Sequence, residues 1–114
     1  MQTPQDAIHL RIFIGEDKRF GGQPLYEAIV LKAREMKLSG ATVLRGPMGY
    51  SLETGMHTTK ILSLSEDLPF IVEIVDSEEK INGFLPVLDG MMTSGIITLH
   101  KVQVLKYGPG SAAG

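Results

Sequence analysis

Ile8-His9-Leu10-Arg11-Ile12-Phe13-Ile14 is the stretch on which the fold turns. Ile8, Leu10, Ile12 and Ile14 alternate with His9, Arg11 and Phe13, a period of two that predicts a strand with one strongly apolar face. Phe70-Ile-Val-Glu-Ile-Val75 repeats the pattern, with Phe70, Val72 and Ile74 in one set and Ile71, Glu73 and Val75 in the other. A lone carboxylate under a layer of helices would be costly, so Glu73 belongs on the face that helices leave open. If these two strands are antiparallel neighbours, Arg11 and Glu73 pair across that face. Phe13, Ile71 and Val75 beside such an ion pair suit a protein–protein interface better than a solvated surface.

Outward from these strands the period changes. Gly15 to Gly22 reads as a polar loop, and Pro24 as the first position of a helix. Leu25, Ile29, Ala33 and Met36 form its apolar stripe, which Ala28 and Lys32 widen, and Gly40 is expected to cap its end. Ala41 to Arg45 predicts a second strand. Asp76 is the expected N-cap of a second helix, with Glu79 three residues on. Its stripe is Ile81, Phe84, Leu85, Leu88, Met91 and Met92; Pro86 should kink or interrupt it, and Gly95 should end it. Ile96 to Tyr107 reads as a last strand. The order β-α-β-β-α-β predicts an α+β, ferredoxin-like split sandwich: a four-stranded antiparallel sheet with both helices on one face.

Composition fits one domain of this kind. The 114 residues are 43% apolar and 21% charged, with a net charge of −2 and no cysteine. The eleven Lys and Arg are dispersed, which argues against nucleic acid as a partner. Without cysteine there is neither disulfide nor thiolate metal site, and a cytoplasmic location is the expectation. Met1 to Asp6 lacks the features of a signal peptide, and no apolar run approaches membrane-spanning length, so direct membrane insertion is not expected. Residues 1–6 are expected to be a flexible N-terminus, 7–107 the folded domain, and 108–114 a disordered tail.

Gly46 to Pro69, between the second and third strands, is long for so small a domain and is the expected working part. Gly46-Pro47-Met48-Gly49 and Glu53-Thr54-Gly55 mark turns in it, and Thr59 to Ser65 alternates like an extended strand. Glycines at 46, 49 and 55 would let backbone N–H groups approach an anion, with Arg45 and His57, beside Thr58, supplying charge or donors. The alternative is that these glycines only shape turns. His9 and His100 lie on strands, where a surface or interface role is expected. No HExxH, GxSxG, P-loop or GxGxxG pattern occurs. Ser63 and Ser65 have no histidine base near in sequence. Glu16, Asp17 and Asp67 read as solvated loop charges.

Five stretches together resemble a known family. They are Leu10-Arg-Ile-Phe-Ile-Gly-Glu, Gly22-Gln-Pro-Leu-Tyr-Glu-Ala-Ile-Val, Gly40-Ala-Thr-Val-Leu-Arg-Gly, His57-Thr-Thr-Lys-Ile-Leu-Ser-Leu-Ser-Glu-Asp-Leu-Pro69 and Val72-Glu-Ile-Val-Asp76. In order and spacing, from about Leu10 to Tyr107, they resemble domain-of-unknown-function family 190, a branch of the PII-like proteins. The resemblance implies a homotrimer whose sheets face the three-fold axis, with Arg11, Phe13 and Glu73 at the interface. It implies a small ligand, an adenine nucleotide being one candidate, in clefts between subunits. Arg45, Gly46, Gly49, His57 and Thr58 are the candidate ligand-binding residues. The loop 46–69 would then act on a partner: a transporter, a channel or an enzyme. One departure stands out. PII proteins grip ATP with a Gly- and Lys-rich loop before the last strand, whereas Thr93-Ser94-Gly95-Ile96-Ile97-Thr98 has no basic residue, which argues against triphosphate binding in that manner. A non-enzymatic sensor is the expectation, with no certain cofactor; a small cleft enzyme using His57 and Arg45, or a passive structural trimer, are the alternatives.

Overall fold

The computed structural model describes residues 3–49 and 68–106. In chain order these form β1 (Gln5–Gly15), β2 (Arg19–Phe20), β3 (Gln23–Pro24), α1 (Leu25–Glu35), β4 (Thr42–Arg45), β5 (Pro69–Asp76), α2 (Glu78–Met91) and β6 (Ile96–Val104). The main sheet has the order β4-β5-β1-β6, antiparallel throughout. This is the ferredoxin-like arrangement read from the sequence.

The two central strands carry the alternation into space. Leu10, Ile12 and Ile14 of β1 and Phe70, Val72 and Ile74 of β5 are buried on one face. Leu25, Ala28, Ile29 and Ala33 of α1 and Ile81, Phe84, Leu88 and Met91 of α2 join them in a single core. Phe84, Ile12, Leu10 and Ile29 are wholly out of water, each contributing about 1.5–3 kcal/mol from burial. No polar or charged residue is buried among the described residues. Both helices therefore cover the same face.

The helix ends differ from the expected ones, because local hydrogen bonding decides them. Pro24 precedes α1 as its N-cap instead of opening it. Met36 is the C-cap residue and is half-exposed, so it leaves the buried stripe. Lys37, at φ 63°, takes the left-handed position assigned to Gly40. Its N–H donates to the Arg34 carbonyl and that of Leu38 to the Ala33 carbonyl, both at 3.0 Å, which is a Schellman closure. At α2 the cap is Ser77, whose hydroxyl oxygen accepts from Lys80 N–H at 3.2 Å. Asp76 is used elsewhere: its carboxylate accepts from Ser39 N–H at 2.8 Å and Ser77 N–H at 2.7 Å. Ser39 also donates its hydroxyl to the Val75 carbonyl. Helix α2 runs through Pro86 without interruption. Pro86 and Asn82 are both exposed, so water can meet the Asn82 carbonyl that Pro86 cannot serve.

Two further boundaries move. β1 opens at Gln5, opposite Val104, so pairing reaches into the segment expected to be flexible. The expected Gly15–Gly22 loop holds β2 and the turn of a hairpin that β3 completes just beyond it, turning on Gly21 and Gly22 at φ 59° and 83°. Both turn residues need positive φ, which is what two successive glycines supply. The Thr59–Ser65 alternation lies outside the described residues.

Candidate functional site

β1 and β4 both run antiparallel to β5, so they are parallel to each other and end together where β5 begins. The last register pairs are Gly15 with Pro69 and Arg45 with Phe70. Two backbone bonds close the junction: Gly46 N–H donates to the Pro69 carbonyl, and Glu16 N–H to the Leu68 carbonyl, each at 2.8 Å. The long β4–β5 connection thus leaves and rejoins the sheet at one point.

Arg45 sits at this junction. Its guanidinium meets the Glu16 carboxylate, Nη2 to Oε2 at 3.2 Å, and lies 5.8 Å from the centroid of the Phe70 ring. Tyr26 of α1 packs on the other ring contact of Phe70, with centroids 4.2 Å apart and planes at 36°. The Arg45 side chain is 55% exposed and that of Glu16 31%, while Glu16 Oε1 is buried with no hydrogen-bond partner. Nothing in the local sequence marks Glu16 as the partner of Arg45. The sequence suggests a solvated loop charge, and the signal for the pairing is topological: Glu16 follows β1 and Arg45 ends β4, the two strands that flank β5.

Gly46 and Gly49 are at the junction too, and their smallness has a direct cause. A Cβ on Gly46 would stand 2.7 Å from Pro69 Cγ, and one on Gly49 3.0 Å from the same atom. The ring of Pro69 fills the space that side chains would take. Since Gly46 N–H is bonded to Pro69, it is not one of the free donors that an anion cradle needs. His57 and Thr58, like Gly55, lie outside the described residues, so the structure brings together Arg45, Gly46 and Gly49 of the five candidate residues.

The open face carries the second set of candidates. Arg11 and Glu73 are directly opposed in the register, as expected, with Arg11 Nε 2.9 Å from Glu73 Oε2. The N–H is not aligned on the oxygen, so the contact is an ion pair without a good hydrogen bond. His9 Nε2 stands 3.5 Å from the same oxygen, and the Arg11 guanidinium lies 5.3 Å from the Phe13 ring centroid. His100 of β6 faces His9, with ring centroids 6.3 Å apart. His9, Arg11, Phe13 and Glu73 are half-buried and His100 is exposed, which leaves a charged centre flanked by Phe13, Ile71 and the exposed Ile96. No group of three or more metal-ligating side chains occurs among the described residues. No helix among them is long and apolar enough to cross a membrane.

Residues 7–104 match DUF190, described as "Uncharacterized ACR, COG1993". The chain belongs to this family. A UPF0166 protein of Aquifex aeolicus is 43% identical over 96 residues, covering 84% of this chain and 90% of that protein. A UPF0166 protein of Methanocaldococcus jannaschii is 37% identical over 98 residues, covering 85% and 90%. Among solved structures, the DUF190 chain resembles CPII of Thiomonas intermedia K12, a nitrogen regulatory PII-like protein. In its apo form CPII superposes with a TM-score of 0.53 at 17% identity, covering 90% of this chain and 95% of CPII. CPII bound to ADP, AMP and bicarbonate gives 0.57 at 16% identity, covering 92% and 99%. At such identity the likeness establishes a PII-like fold.

Proposed function

We propose that this DUF190 protein is a PII-like regulatory homotrimer that binds a small anionic ligand between subunits and reports it through residues 46–69. One observation carries the proposal: the ends of β1, β4 and β5 converge on Arg45 at the root of that long connection. An exposed guanidinium there can meet an anion, and whatever it holds is one residue from the start of the connection. CPII, of the same fold, binds ADP, AMP and bicarbonate, which makes an adenine nucleotide or a small oxyanion the first ligand to try. His57 and Thr58 would contribute from the connection, with Gly46 and Gly49 at its base. The open face, with Arg11, Phe13 and Glu73, would be the trimer interface. The partner would be a transporter, channel or enzyme that recognises residues 46–69.

The test is calorimetric titration of the purified protein with AMP, ADP and bicarbonate, beside sedimentation to fix the oligomer. Saturable binding that Arg45→Ala weakens at least tenfold supports the proposal. A protein that sediments as a monomer, or binds none of the three, refutes it. Conversion of a bound nucleotide to product would instead establish a cleft enzyme.

A further inference from the structure

We infer that Glu16 is a built-in competitor for Arg45, an internal anion that an incoming ligand must displace. The inference rests on the proposal that Arg45 meets the ligand, and adds a residue that sets the affinity and the kind of anion accepted. Three observations support it. First, the pair is poorly made: a contact at 3.2 Å is long for a charge-assisted bond, and among the described residues Glu16 engages the fork of the guanidinium through one nitrogen. Second, Glu16 Oε1 is buried without a donor, so its carboxylate is held by one oxygen and gains little from the site. Third, the backbone fixes Glu16 irrespective of its charge, because its N–H is bonded to the Leu68 carbonyl at 2.8 Å. The residue is therefore kept beside Arg45, within reach of its guanidinium, whatever the charge of its side chain.

A ligand with two oxygens on one centre, such as a phosphate, a carboxylate or bicarbonate, can fill both prongs of the fork where Glu16 fills one. It must also leave Glu16 facing solvent or a ligand hydroxyl. A weakly bound competitor raises the ligand concentration needed without abolishing binding. It also selects anions able to engage the guanidinium in a bidentate manner over those that contact it at one point.

The test is a double-mutant cycle at Glu16 and Arg45, read as ADP and inorganic phosphate affinity by calorimetry. Glu16→Gln keeps the size and the backbone N–H while removing the charge. It should tighten both probes about two- to fivefold, the scale of an exposed ion pair, and the gain should shrink at high salt. In an Arg45→Ala background the same substitution should give no gain. If the gain persists there, Glu16 repels the ligand directly and the competition is wrong. If Arg45→Ala weakens both probes while Glu16→Gln changes neither, the inference fails and the ligand-binding role of Arg45 stands. If Arg45→Ala changes neither, or no variant binds either probe, that role and the inference fall together.

Discussion

The two faces of the sheet are written by alternate residues of the same strands, yet they differ in kind. Leu10, Ile12 and Ile14 alternate with His9, Arg11 and Phe13; Val72 and Ile74 flank Glu73. One set is buried under α1 and α2 with no polar group among it. The other is half-buried, with Glu73 held by Arg11 and approached by His9. The single chain gains its stability from the first face and has little to gain from the second. Among the described residues no helix covers that face, and this is why it is the one proposed for assembly.

Substitutions ranked by their cost can break this comparison. Phe84→Ala should have the largest effect: the ring is wholly buried, and its loss should cost about 3–5 kcal/mol in chemical denaturation. Gly95→Ala comes next. Gly95 sits at φ 116°, and a Cβ would stand 2.7 Å from the Phe13 carbonyl oxygen and 2.9 Å from the Met92 methyl. About 2–3 kcal/mol of strain should appear in the same measurement, because the closest atom belongs to the backbone of a central strand. Ser77→Ala removes the one side-chain cap of α2 and should cost about 1 kcal/mol.

Glu73→Gln should cost the single chain least, below about 1 kcal/mol, since the pair it breaks is partly solvated. Its effect should fall on assembly, seen as a shift toward smaller species in sedimentation at micromolar concentration. Should its denaturation penalty approach that of Phe84→Ala, the open face would be part of the chain's own core, and the contrast between the faces would collapse. Should it alter neither stability nor sedimentation, the open face would be solvent-facing.

What the sequence made legible follows from how each feature is encoded. Alternation in β1 and β5 is a property of consecutive residues, so their faces, and through them the Arg11–Glu73 pairing, could be read directly. The two helical stripes were readable for the same reason. Helix ends were not, because several residues compete for one cap. Ser77 outcompetes Asp76, whose carboxylate is drawn to Ser39 N–H 37 positions away. Lys37 accepts a strained φ that Gly40 would take freely, since the Schellman bonds form where the helix actually stops. At the candidate site Arg45 is singled out by residue type and position alone. Its counter-ion is not legible in the sequence, because 29 positions separate it from Glu16 and the strand order brings them together.

The closure of the β4–β5 connection has a consequence for how such a protein can change over time. Gly46–Pro69 and Glu16–Leu68 tie both roots of the connection to the sheet, and Pro69 plugs the space beside Gly46 and Gly49. With its ends so fixed, the connection can be lengthened or exchanged at an entropic cost that grows only logarithmically, about 0.6 kcal/mol for each doubling. Lineages can rewrite that segment while the scaffold beneath it stays constant, and an engineer can graft a foreign recognition sequence between the same two anchors.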